Sequence, residues 1–251
     1  MRKIQFEAPV FTAEAAINAA RAGVDRIELC SSFTEGGETP GAGMLSWLKR
    51  NVTITVFVMI RPRGGDFVYS PDEIDVMAEE IRHLDAAGAD GFVFGVLKPD
   101  GTVHSEACRD LVESANGKPC TFHRAFDLSR DPEESLEAII GCGFKRILTS
   151  GMKNSVEQGL PVIIRMLELA GDRIFVMPGG GLKPEHIDPL MKNGYLREIH
   201  ASCKMVRKSE MLFLNTEVKL YSNDGGMEGV LSFCDEVYNR FRQVLNKYES
   251  E

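Results

Sequence analysis

The feature that most constrains this chain is a short phrase that recurs along it: a helix-like run, a glycine, a brief linker and an apolar strand. Ala22-Gly-Val-Asp-Arg-Ile-Glu-Leu29, Ala87-Gly-Ala-Asp-Gly-Phe-Val-Phe94 and Cys142-Gly-Phe-Lys-Arg-Ile-Leu-Thr149 share one grammar, and Ala170–Met177 and Asn193–His200 are looser copies. Glycine fits just past a helix end because that position often takes the left-handed conformation, which costs glycine nothing sterically. The β-branched and aromatic run that follows is what a buried parallel strand needs. Recurring helix–glycine–strand units mean repeated βα crossovers.

Filling the gaps predicts strands at Ile4–Ala8, Arg26–Cys30, Ile54–Ile60, Gly91–Gly95, Cys120–His123, Arg146–Thr149, Ile174–Met177 and Glu198–Ser202. Helices fit Thr12–Ala22, Gly43–Arg50, Pro71–Ala87, Ser105–Ala115, Pro132–Gly141, Ser155–Leu169, Pro184–Lys192 and Met227–Tyr248. Ser70-Pro71 before Glu73 and Asp131-Pro132 before Glu133 are helix-start signals. Eight alternations in 251 residues match a single α/β domain, 1–251, folded as a (β/α)8 TIM-type barrel. A long loop, Asn215–Gly229, precedes the last helix. A doubly wound sheet would prefer a glycine-rich fingerprint after the first strand, where Glu7-Ala-Pro-Val-Phe11 stands instead.

The formal net charge of −8 argues against a general nucleic-acid or membrane-surface binder, though not against one basic pocket. The amino-terminal stretch lacks an apolar signal core, and no run approaches the ~20 apolar residues of a membrane span. The six cysteines are scattered with no C-x-x-C pair, as in a chain whose thiols stay reduced. The expectation is a cytoplasmic protein; its pairing with further copies as a homo-oligomer is left open.

In such a barrel the chemistry sits at the carboxyl ends of the strands. Those ends carry Glu7, Glu28 and Cys30; Arg61 and Arg63; His123, Arg124 and Asp127; Ser150; Gly179–Gly181; and His200 with Ser202. Any one of them reads equally well as a structural hydrogen bond or ion pair. Two arginines in Arg61-Pro-Arg-Gly-Gly-Asp-Phe67 suit bidentate capture of a carboxylate or phosphate, or else pair internally with Glu28 or Glu7. Triple glycine in Met177-Pro-Gly-Gly-Gly181 exposes backbone N–H groups before a helix, a common phosphate cradle. Thr121-Phe-His-Arg-Ala-Phe-Asp127 packs an imidazole beside a carboxylate, a natural proton-transfer unit, and His200 could meet His123 across the mouth. His123, Arg124 and Asp127 are expected to work in the mouth rather than to support the fold.

Glu28-Leu-Cys30, Glu35-Gly-Gly-Glu-Thr-Pro40, Arg61–Phe67 with Tyr69-Ser70, Thr121–Asp127, Leu148–Gly151 and Met177–Gly181 together resemble the CutC family in order and spacing, over roughly Arg26 to Ser202. The resemblance implies a cytoplasmic barrel named for copper homeostasis, with copper(I) binding attributed to the family. Copper(I) is soft and prefers thiolate or thioether ligands, which makes Cys30 and Cys203 the candidate metal residues. Some relatives carry Glu-x-Cys at the end of the first strand; here Glu7-Ala8 stands there, so Cys30 lacks that partner. Leu214 stands where relatives have an arginine.

Two functions therefore compete. One is copper(I) handling through Cys30 and Cys203. The other is an enzyme acting on a small anionic or phosphorylated metabolite. Arg61, Arg63, Arg124, Ser150, Gly179–Gly181 and Ser202 would then hold the anion, and Glu28, His123, Asp127 and His200 would move protons.

Overall fold

The computed structural model describes residues 3–213, 215, 217, 218 and 229–249. Eight parallel strands alternate with helices: β1 (Gln5–Val10), β2 (Arg26–Leu29), β3 (Thr55–Met59), β4 (Gly91–Phe94), β5 (Cys120–Phe122), β6 (Arg146–Thr149), β7 (Phe175–Pro178) and β8 (Glu198–His200). The sheet runs β7-β6-β5-β4-β3-β2-β1-β8. Its two ends pack side by side, so that a Cβ added at Gly179 would lie 3.0 Å from the His200 Cβ. The result is a nearly closed (β/α)8 barrel, the fold class expected from the repeat.

The helices are α1 (Ala13–Ala22), α2 (Ala42–Asn51), α3 (Pro71–Ala86), α4 (Ser105–Ser114), α5 (Pro132–Gly141), α6 (Val156–Ala170), α7 (Ile187–Met191) and α8 (Asp235–Glu249). Their ends carry the chemistry read from sequence. Thr12 caps α1, Asp131 caps α5, and Ser70 with Glu73 forms a reciprocal capping box on α3. Gly23 closes α1 at φ 87°.

Two expectations are corrected. Pro184–Lys192 is a 3-10 turn, Pro184–His186, followed by the short α7, so the glycine run is not followed by a long helix. The carboxyl-terminal helix starts at Asp235; before it β10 (Gly229–Phe233) pairs antiparallel with β9 (Lys204–Lys208). Nearly all of the expected Asn215–Gly229 loop, and Leu214, lies outside the described residues.

The main core lies between the outer sheet face and the helices, where Phe6, Ile27, Phe92, Phe122 and Ile199 are fully buried. The barrel interior is different. Strand residues alternate faces, so Glu7, Arg26, Glu28, Arg146, Glu198 and His200 share the inner wall, all buried, beside a small apolar cluster of Cys30, Phe57, Met59 and Val93. A barrel lined with charge on one arc is not a packing solution alone, because each buried ion needs partners.

Candidate active site

The inner wall is organised from its floor. Arg26 is ion-paired to Glu7 at 2.5 Å and to Glu198, and Arg146 holds Glu198 through Nε at 2.9 Å and Nη2 at 3.0 Å. Both guanidinium groups stack on the Phe57 ring, at 4.7 and 5.0 Å from its centroid. Arg26 is thereby committed to Glu7 and Glu198, and Glu28 receives no arginine.

Above this floor, the His200 Nδ1 donates to Glu7 Oε1 at 2.8 Å, which leaves Nε2 turned toward Glu28 Oε2, 3.9 Å away. That gap exceeds a hydrogen bond. The other Glu28 oxygen, Oε1, is buried with no partner. Burial pushes the Glu28 carboxyl up to about 7, with the Glu7 charge adding to the rise and His200 opposing it. Burial acts on Glu7 in the same direction, yet Arg26 and His200 outweigh it and hold that carboxyl at about 2. Burial would lower the His200 imidazole, but Glu28 and Glu7 win and raise it. Two carboxyls with widely separated pKa values thus flank one imidazole, the arrangement that sets a fixed charge apart from a group able to titrate near neutrality.

These side chains open into a cavity of about 630 Å³ at the carboxyl end of the strands. The opposite arc carries donors. His123 follows β5, is buried, and accepts from Ala125 N at Nδ1 (3.3 Å), while its Nε2 has no partner. Burial, with Arg61 adding to it, holds this imidazole near 3. It is therefore neutral, and with Nδ1 accepting, Nε2 carries the hydrogen. Phe67 packs against both His123 and Arg61, its centroid 4.6 Å from the imidazole centroid and 5.0 Å from the guanidinium carbon. Arg61 spends Nη1 and Nη2 on the carbonyls of Glu35, Gly37 and Gly65, pinning two loops, and its buried Nε is unpartnered.

The remaining sequence-derived residues divide. Arg124, Gly180, Gly181, Ser202 and Cys203 line the cavity. Arg63 turns away, to Glu73, Asp66 and the Val68 carbonyl. Asp127 borders the cavity but its oxygens are taken by Arg124 Nε, Thr149 Oγ1, Ser150 N and Oγ, and Met152 N. It holds the loop after β6 and has no lone pair to spare for proton transfer, contrary to the sequence expectation. Ser150, fully buried, belongs to the same network. Gly179 is needed for closure, since a Cβ there would lie 2.5 Å from Leu148 Cδ1. Arg26, Arg146 and Glu198 were not singled out, and Glu7 was gathered at its strand end without a role. Their signal was available as charged side chains two apart inside apolar strands, in Arg26-Ile-Glu28 and Glu198-Ile-His200.

Cys30 and Cys203 join no group of three or more potential ligands among the described residues. Cys30 lies in the apolar cluster with Phe57, Met59 and Val93 and its thiol is pushed well up by burial; Cys203 is on the cavity wall and pushed up to about 12 by burial. Among the described residues the one group of three or more potential ligands within 4.8 Å is Glu7, Glu28 and His200. Those are oxygen and nitrogen donors, already spent in part on one another and on Arg26. Soft copper(I) does not fit that set.

A barrel whose mouth holds a cavity, a buried carboxyl raised to about 7 and unpartnered buried donors is a TIM-type barrel with a candidate site at the carboxyl ends of its strands. The chain belongs to the CutC family, whose model matches residues 4–205. It is 48% identical to the human protein named copper homeostasis protein cutC homolog, over 96% of this chain and 88% of that one. A family protein CutC of Bacteroides thetaiotaomicron is 39% identical over 88% of this chain and 89% of its own. The crystal structure of CutC from Streptococcus agalactiae superposes with a TM-score of 0.74 at 30% identity, covering 79% of this chain and 98% of that one.

Proposed function

We propose that this protein is a cytoplasmic enzyme that acts on a small anionic metabolite at the barrel mouth. One observation carries the reading: Glu28 is buried in the cavity, lacks an arginine, has a free Oε1 and stands 3.9 Å from a His200 that Glu7 orients. A carboxyl titrating near 7 is matched to proton transfer at neutral pH. Arg124 and the backbone of Gly180 and Gly181, both glycines with positive φ, offer the anion contacts. The names of the relatives point to copper homeostasis; direct copper(I) binding has thinner support here because, among the described residues, the one group of three or more potential ligands contains no thiol. The test is NMR-monitored turnover of a panel of small carboxylates and phosphate esters by the wild type and Glu28→Gln. One or more should be converted, with the variant roughly 10²–10⁴-fold slower and its binding largely kept. A panel that neither binds nor reacts overturns the reading.

A further inference from the structure

Resting on that reading, we infer that the mouth stabilises an enolate, so that the substrate is a short carbonyl compound with an acidic α-C–H and a carboxylate or phosphate end. The inference comes from how the unpartnered atoms are distributed. Among the buried unpartnered atoms of residues that line the cavity, the acceptor is Glu28 Oε1, on the β1–β2–β8 arc, and the donors are His123 Nε2 and Arg61 Nε, on the β3–β5 arc. All three residues line the same cavity. Each is buried, and a buried donor or acceptor without a partner costs free energy unless something else completes it. A ligand that completes all three presents a proton to the first arc and an oxygen that gathers negative charge to the second.

The Cys203 thiol on the cavity wall stays protonated, its value raised by burial to about 12, and is no ready nucleophile. Enolisation needs only what is present. The Glu28 carboxylate takes the α-proton; the C–H electron pair becomes the carbon–carbon π bond, and the carbonyl π pair moves to oxygen. His123 Nε2–H donates to that oxygen, with the Arg61 charge on the same arc. A neutral imidazole is the suitable donor, being closer in acidity to an enol than an imidazolium is. The proton on Glu28 then returns to carbon, directly or after a visit to His200 Nε2, and no oxidant or co-reactant is consumed. Phe67 packs against both the His123 ring and the Arg61 guanidinium and gives the second arc an apolar neighbour.

Planar carboxylates that imitate an enolate provide the test. Oxalate and 2-phosphoglycolate are titrated calorimetrically into the full chain, with acetate and inorganic phosphate as partners lacking the enolate-like group. Oxalate or phosphoglycolate should bind at least tenfold tighter than its control, and whichever of the two does so identifies the anionic end. His123→Phe, which keeps the ring but not the donor, should remove that advantage while leaving phosphate binding within twofold. His123→Gln, which restores an N–H, should recover part of it. Phosphate binding with no preference for either mimic overturns the enolate inference and leaves the anion-binding enzyme standing. Failure of all four probes to bind overturns both. An advantage that survives in a folded His123→Phe places the oxyanion elsewhere and also refutes the inference.

Discussion

Glu28→Gln should make the protein more stable at pH 8 and leave it nearly unchanged at pH 4.5. Moving a carboxyl from 4.5 to about 7 corresponds to about 3 kcal/mol against its ionised form in the folded chain. The sign follows from proton counts. Between pH 4.5 and 7 the folded state holds a proton on Glu28 that the unfolded state has released, so stability falls as pH rises through that window. Glutamine resembles the protonated acid and removes the fall. His200 opposes this, because its raised value supplies stability below 6.5 that is lost as pH climbs through its folded value, and part of that stability comes from Glu28. The net gain at pH 8 is therefore about 1–3 kcal/mol, or roughly 3–10 °C in Tm for a chain of this size. Differential scanning calorimetry of both proteins at pH 4.5 and 8 measures it. If Glu28 and His200 instead form a stable buried ion pair at pH 8, breaking it costs about 3–5 kcal/mol. A destabilised variant at pH 8, or a shift independent of pH, would refute the argument.

Asp127→Asn should lose about 2–4 kcal/mol in urea denaturation, because an amide cannot accept from donors on both oxygens as the carboxylate does. Gly179→Ala should cost about 1–3 kcal/mol in the same measurement and disturb the His200 imidazole resonances, since the new methyl meets Leu148 and His200 at the barrel seam. Anaerobic copper(I) titration should show no tight one-per-chain site abolished by Cys30→Ser or Cys203→Ser; a stoichiometric site lost in either variant would restore copper to this barrel.

The barrel was legible because its punctuation is local. Gly23, Gly88 and Gly143 all have positive φ, the conformation that their place after a helix-like run implies. The β9–β10 ribbon was missed because Lys204-Met-Val-Arg-Lys208 is short, largely exposed and charged at both ends, so its pairing depends on a strand more than twenty residues away rather than on its own pattern. In the site, His123, Glu28 and His200 were readable as titratable residues at strand ends. Their division of labour was not. Whether Asp127 or Glu28 keeps free lone pairs depends on backbone N–H groups from the loop after β6 and on which carboxylate Arg26 reaches, and neither is encoded in spacing. Arg63 shows the same limit: two arginines two residues apart after β3 point to opposite sides of one loop.

The charged floor explains how a single carboxylate is kept reactive. Arg26 and Arg146 balance Glu7 and Glu198 in number, and of the four only Glu7 reaches upward, to His200. Glu28 and His200 are left with one proton to divide between them. Had Arg26 reached Glu28 instead of Glu7, both Glu28 oxygens would be fixed acceptors held ionised, with little basicity for a substrate. Had Glu7 been apolar, His200 would have lost the acceptor on Nδ1 that orients its ring, and Nε2 would no longer face the cavity by design. Apolar side chains of equal volume would have packed this interior at least as stably as a set of buried ion pairs. The floor therefore accounts for the mouth: it holds Glu7 ionised and His200 oriented by it, and leaves Glu28 as the carboxyl that burial raises to about 7.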